Sequence, residues 1–288
     1  MDSDRELSNQ PTAPPARRAL ITGASSGIGK ATARAFAQAG FDVALVARSE
    51  ALLTDLATEL TALGIVARAF VIDLSKIETV REKITQAIAA FGPVDVLINN
   101  AGMGYTGNLS EMPLADWQQV MALNVTSVLQ VVQAVLPQMR NQMRDQTRDQ
   151  TLRQSAKGQP AAPLQDPMSA STQRDFDQRS GGLIVNIASI AAQQPFPEWG
   201  AYGVSKAALT ALSGAIAAEE SVHGIRVTTL SPGAVDTPIW ESSTVQSTFD
   251  RAAMLRAETV AQTILHMAML PPNAVISQLT LMPARGAL

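Results

Sequence analysis

Tyr202 and Lys206 stand four residues apart, thirteen positions beyond Ser189. On a helix that spacing puts the phenol and the ammonium on one face, where the cation favours a phenolate. A free phenol with pKa ~10 is about 0.1% ionised near pH 7, and closing the gap of ~3 units corresponds to roughly 4 kcal/mol. A tyrosine held in this way suits proton exchange with a carbonyl or hydroxyl oxygen, one half of a redox step on carbon.

The other half requires a dinucleotide, and the start of the chain offers a place for one. An apolar strand, Ala19 to Thr22, runs directly into Thr22-Gly23-Ala24-Ser25-Ser26-Gly27-Ile28-Gly29 and then a helix expected over Ile28 to Ala39. Backbone amides and the positive helix end converge there, as a pyrophosphate needs, with Ser25, Ser26 and Ile28 in the turn. Gly23 allows a sharp exit from the strand, and Gly27 and Gly29 allow close approach of cofactor and helix.

The end of the second strand decides which dinucleotide fits. An acid there would hold the ribose hydroxyls of NAD and repel a 2′-phosphate. The chain has Ala47, Arg48 and Ser49 instead, a guanidinium and a hydroxyl that suit a phosphate dianion, so NADP(H) is expected. Asp73 and Leu74 close the third strand, and Asn99-Asn100-Ala101-Gly102 close the fourth. Asp73 is read either as an acceptor for the adenine amino group or as a turn cap with Ser75. Asn100, Ala101 and Gly102 are small enough to lie against adenosine and to tie the sheet together.

These residues need a scaffold, and the pattern of apolar runs supplies one. Strands are expected at Ala19 to Thr22, Val43 to Ala47, Ala67 to Ile72, Val94 to Asn99, Leu183 to Ala188, Val227 to Leu230 and Gln278 to Leu281, alternating with amphipathic segments. That alternation predicts α/β architecture, a doubly wound parallel sheet of seven strands with helices on both faces. Gly40, Gly64, Gly92 and Gly224 each follow an apolar-periodic stretch, where a left-handed residue closes a helix. Ser75 with Glu78 reads as a capping box for the helix running toward Phe91.

The chain has 288 residues, 46% of them apolar, and a formal charge of -3, so the balance calls for neither nucleic acid nor an anionic membrane. It has no cysteine, which excludes disulfides, thiolate catalysis and Cys-based metal sites and agrees with a reducing, cytoplasmic location. The two histidines, His223 and His266, have no ligand-like spacing, and no metal is expected. No run of about 18 apolar residues is expected, since the most hydrophobic helix, near Val125 to Leu136, is interrupted by Gln130 and Gln133.

Residues 1–16 combine charge with Pro11, Pro14 and Pro15 and read as a disordered tail preceding a single domain over 17–288. A polar insertion at 141–180, rich in Gln, Arg, Asp, Ser and Pro, interrupts that domain. Its first part continues the preceding helix, with Arg140, Arg144 and Arg148 at a spacing of four; from Ser155 onward disorder is expected. The insertion leads into the start of the strand that ends at Ser189, roughly 20 Å from that serine at ~3.3 Å per residue, so it should emerge away from the chemistry.

Taken together, Gly23 to Gly29 as G-x-x-x-G-x-G, Asp73, Asn99 to Gly102, Asn124, Ser189, Tyr202-x-x-x-Lys206 and Pro232-Gly233 with Thr237 resemble the short-chain dehydrogenase/reductase family over roughly residues 17–284. The insertion is the main departure. The resemblance implies a Rossmann-like fold and hydride transfer between NADP(H) and a carbonyl or secondary alcohol. It further implies Tyr202 as general acid/base, Ser189 as donor to the substrate oxygen, and Lys206 on the nicotinamide ribose. Asn124 would hold a water linked to that lysine. Pro232, Gly233, Val235 and Thr237 would border nicotinamide, and the chain after Thr237 would form a substrate lid.

Met103, Tyr105, Phe196, Trp199, Ile239 and Trp240 are the pocket candidates, pointing to a small apolar carbonyl or alcohol as substrate. Reduction of a carrier-linked 3-oxoacyl group and a non-catalytic dinucleotide-binding regulator are the alternatives. The family further implies a homodimer or homotetramer built on the long helices at Leu123 to Met139 and Tyr202 to His223.

Overall fold

The computed structural model describes residues 16–156, 181–246 and 249–284, with 143–156 as backbone alone. Residues 1–15 of the expected tail and 157–180 of the insertion lie outside the described residues. The order is β1 (Arg18–Thr22), α1 (Gly27–Gln38), β2 (Asp42–Ala47), α2 (Glu50–Thr61), β3 (Ala67–Val71), α3 (Ile77–Phe91), β4 (Val96–Asn99), α4 (Leu114–Met121), α5 (Ser127–Ala156), β5 (Gly182–Ile187), α6 (Gly200–Glu220) and β6 (Ile225–Pro232). A two-residue strand β7 (Val235–Asp236) follows, then β8 (Leu255–Arg256), α7 (Ala257–Ala268) and β9 (Gln278–Leu281).

Seven strands pair in parallel in the order β3-β2-β1-β4-β5-β6-β9. The central strands are buried on both faces, which is why they read as unbroken apolar runs rather than alternating ones. The edge strands β3 and β9 are only partly covered. One core lies between the sheet and α1, α2 and α7, around Phe36, Leu45, Ile98 and Ile264. The other lies under α3, α5 and α6, around Ile84, Leu97, Val135 and Leu209. Each such side chain contributes about 1.5–3 kcal/mol relative to exposure.

All four glycines expected to end helices have positive φ: Gly40 at 83°, Gly64 at 86°, Gly92 at 106° and Gly224 at 63°. The short parallel ladder of β7 with β8, which pins the segment between them at both ends, was not foreseen, because two residues carry no periodicity.

One further expectation changes. The helical run Leu114–Gln142 does reach the length and apolarity of a membrane-crossing helix. Gln130 and Gln133 do not prevent this, and Val128, Val131, Val132, Val135 and Met139 are buried in the second core. Arg140 forms a bidentate ion pair with Glu220, joining α5 to α6. The helix itself continues to Ala156, as the first part of the insertion predicts.

Candidate active site

Every segment expected to carry chemistry follows the carboxyl end of a strand in β1 to β6, on the edge where open α/β sheets take ligands. The order reverses between β1 and β4, so the chains leaving those two strands part there and open a crevice. The polar insertion joins β5 at its opposite end: Gly181 donates its N–H to Gly224 O (3.0 Å), just before β5 and β6 begin.

The glycine turn is built by close approach. Gly23 (φ +65°) lies where a Cβ would meet Ala101 Cα at 2.9 Å, and Gly27 (φ +50°) faces the Thr237 side chain at 3.0 Å. Asn100 donates Nδ2–H to Thr22 O (3.0 Å) and Gly23 O (3.2 Å), while Thr22 Oγ1 accepts from the N–H groups of Asn100 and Ala101. The Asn100 side chain thus holds the turn in shape. Gly29 serves packing rather than the ligand surface, since a Cβ there would fall 2.2 Å from Gly23 O. Helix α1 starts after Ser26 with no side-chain cap and no acid in its first turn, leaving its positive end for an anion.

A cleft of about 570 Å³ opens in front of this turn, lined by Gly23, Ser25, Ser26, Gly27 and Ile28, then Arg48, Ser49, Asp73, Leu74, Asn100, Ala101, Gly102 and Thr237. Phosphate donors at one place, an exposed guanidinium at the next strand end and small residues between them fit a dinucleotide. Asp73 accepts from Ser75 N–H (3.0 Å) and Oγ–H (2.7 Å). The Ser75 and Glu78 capping box is therefore not formed: Ser75 is engaged by Asp73, and α3 begins only at Ile77, after Lys76. Burial pushes the Asp73 carboxyl up, but the Ser75 hydrogen bonds and the Arg48 and Lys76 charges outweigh it and hold it below the usual range.

Ser189, Tyr202 and Lys206 come together as predicted, lining an inner cavity of about 140 Å³ with Pro232, Gly233, Val235 and Thr237. This cavity meets the cleft at Ile28, Thr237 and Ile239, which line both. Ser189 Oγ accepts from Ala191 N–H (3.2 Å), turning the chain after β5 so that the hydroxyl faces α6. Lys206 is 5% exposed. Its Nζ donates to Ile187 O (2.8 Å) and lies 5.7 Å from the centre of the Tyr202 ring.

The protonation states depart from expectation. Burial holds the Lys206 ammonium down at about 8. Burial also raises the Tyr202 phenol above its ordinary value, and the hydrogen bond with Ser189 only partly offsets this. Proximity of the amine does not by itself yield a phenolate, because desolvation penalises both charged forms and the ammonium bonds a carbonyl instead.

Asn124 lines neither cavity. It is fully buried in a π-helical turn, Ala122–Thr126, between α4 and α5. Its Oδ1 accepts from Met103 N–H (2.9 Å), and its Nδ2 donates to Met103 O (3.0 Å) and Ser205 Oγ (2.9 Å). Ser205 in turn donates to Tyr202 O (2.7 Å). Asn124 therefore fastens the loop after β4 to the helix bearing Tyr202 and Lys206. A Cβ on Gly102 would meet both Asn124 Oδ1 (3.0 Å) and Lys206 Nζ (3.4 Å), so only glycine lets them approach.

Phe196, Trp199, Ile239 and Trp240 line the inner cavity and Met103 lines the cleft, as expected. Tyr105 lines neither; its hydroxyl donates to Asp116 Oδ2 (3.2 Å), drawing it toward α4. Phe249, Ser242 and Thr244 were missed, since a polar segment with isolated aromatics gives no period. Trp199 packs edge-on against Tyr202 (5.4 Å) and Trp240 (5.6 Å), and Trp240 against Phe249 (5.6 Å). The loops are stitched above: Thr106 N–H donates to Thr244 O (2.9 Å), Thr244 Oγ1–H to Gly104 O (2.7 Å) and Gln246 N–H to Thr106 Oγ1 (2.8 Å).

The chain is 32% identical to sulfoacetaldehyde reductase 2 of Chromohalobacter salexigens over 278 residues, 93% of this chain and 94% of that one. The alcohol dehydrogenase of the archaeon Thermococcus sibiricus, complexed with 5-hydroxy-NADP, superposes with a TM-score of 0.75 at 26% identity, covering 95% of this chain and 99% of that one. A 7α-hydroxysteroid dehydrogenase with NADH and 7-oxo glycochenodeoxycholic acid gives 0.74 at 26% identity, covering 94% of each chain. The family model described as short chain dehydrogenase matches residues 17–147 and 167–247. Its extent, with the glycine turn, the crevice and the clustered Ser189, Tyr202 and Lys206, makes this chain a member of the short-chain dehydrogenase/reductase family of oxidoreductases.

Proposed function

We propose that the protein is an NADP(H)-dependent reductase or dehydrogenase that moves a hydride between nicotinamide and an apolar carbonyl or secondary alcohol, with Tyr202 as general acid/base. The observation that carries this reading is the shared wall of the two cavities: the phenol, hydroxyl and amine line a space that adjoins the dinucleotide cleft at Ile28, Thr237 and Ile239. Arg48 and Ser49 at the end of β2, with no acid at either position, support NADP(H) over NAD(H). When bound, NADPH supplies the hydride.

In the reductive direction Tyr202 gives its proton to the carbonyl oxygen as carbon accepts the hydride, and Ser189 donates a hydrogen bond to that oxygen. A phenol raised by burial is protonated at neutral pH and ready to act as the acid. Lys206, bonded to Ile187 O beneath the ring, would hold the nicotinamide ribose and stabilise the phenolate left behind. Asn124 keeps the Met103 loop and α6 in register, a positioning role. For the oligomer we propose a homodimer or homotetramer in the cytoplasm, formed through α5 and α6. The exposed side of α6 carries Val204, Ala207, Ala211, Ala215 and Ala218, a nearly uncharged surface.

The test is Tyr202→Phe, followed by consumption of NADPH with a panel of aryl and alkyl ketones. Turnover is expected to fall about 10²–10⁴-fold, while NADPH fluorescence titration shows retained binding. Turnover unchanged in that variant sinks the mechanism.

A further inference from the structure

Trp240 stands on a single 3-10 turn, Pro238–Glu241, in the segment that follows β7. Its indole N–H donates to Val235 O (2.7 Å), so the ring is hung from β7, whose Val235 side lines the inner cavity. Edge contacts to Trp199 on one side and Phe249 on the other fix its tilt. The tryptophan therefore forms a fixed part of the wall of the cavity that Ser189 and Tyr202 also line. The cavity is about 140 Å³, close to the ~150 Å³ of an apolar protein cavity that holds a single benzene ring.

The charge of the cavity points the same way. Among the described residues lining it, Lys206 is the only charged one, and its ammonium is bonded to Ile187 O. A sulfonate or carboxylate on the substrate would find no guanidinium or second amine there, and leaving such an anion unpaired in an apolar site is costly.

We propose that Trp240 is the specificity-determining residue of this site, limiting substrates to uncharged ketones, or the matching secondary alcohols, that place no more than about one ring against the aromatic wall. The inference rests on the carbonyl-reductase reading above. It goes beyond it by assigning a size limit and an exclusion of anions to one side chain and its hydrogen bond.

The experiment measures kcat/KM with NADPH for acetophenone, 2-acetonaphthone and sulfoacetaldehyde in the parent, Trp240→Ala and Trp240→Phe. The parent should favour acetophenone over both others by at least about tenfold, the discrimination that a misfit of one or two carbons gives in an apolar pocket. Trp240→Ala should move the naphthyl-to-phenyl ratio upward by at least about tenfold. Trp240→Phe, which keeps a ring but loses the bond to Val235 O, should fall between. NADPH titration of each variant checks that the cofactor cleft is intact.

A parent that binds NADPH yet reduces no ketone overturns the underlying reading. A parent that reduces ketones while Trp240→Ala lowers all of them by one common factor overturns the role of Trp240 alone. Preference for sulfoacetaldehyde in the parent overturns the exclusion of anions.

Discussion

Lys206 illustrates what a single buried charge does to the whole chain. Its amine loses its proton near pH 8 when folded and near 10.5 when unfolded. Between those values the unfolded chain binds more protons, so stability rises with pH across that window, by up to roughly 3 kcal/mol. Below pH 8 both states are charged and the burial cost is borne in full. Thermal denaturation of Lys206→Met beside the parent should show the difference in Tm, variant minus parent, falling as pH goes from 7.5 to 10; a difference that stays flat contradicts the burial. Arg48 is the second residue-scale test. Arg48→Asp adds a carboxylate near Asp73 and removes the guanidinium, and the kcat/KM ratio of NADPH to NADH is expected to drop about 10–100-fold, the worth of one charge-assisted hydrogen bond. No change in that ratio removes the basis for NADP(H). At this scale residue types and spacings were legible: the serine, tyrosine and lysine share a cavity, and Arg48 and Ser49 line the cleft. Protonation was not, because desolvation depends on what surrounds a group in space.

At the scale of elements the strands were readable to within one or two residues, since a parallel sheet buried on both faces leaves continuous apolar runs between glycine stops. Pattern was silent where local geometry overrides it. Asn124 sits in a π turn that no spacing announces, and Ser75 follows Asp73 into a tight turn instead of capping α3. The insertion offers an element-scale prediction. It joins β5 at the end away from Ser189, and the residues that hold α5 in place, Val135, Met139 and Arg140, precede residue 143. Excision of 143–180 with a short glycine-serine bridge should leave kcat/KM within about threefold of the parent, by steady-state assay. A folded deletion variant without activity would place the insertion at the chemistry after all.

For the molecule as a whole, six strand ends deliver one site, and no single element contains it. The sheet edge provides the rigid part: Asn100 ties β4 to the turn after β1, and Asn99 Nδ2 donates to Asn186 Oδ1 (2.8 Å) across β4 and β5. The cover over the crevice is of another kind. It is fastened through Thr106, Thr244 and Gln246, by the β7 and β8 ladder at its root and by the Trp240 indole on Val235 O, while Ile239 and Phe249 line the inner cavity. Tailoring and suspension are thereby separate at Ile239 and joined at Trp240. A designer, or natural drift, could exchange Ile239 to admit new ketones while the cover keeps its ties, whereas every exchange of Trp240 also cuts one of them.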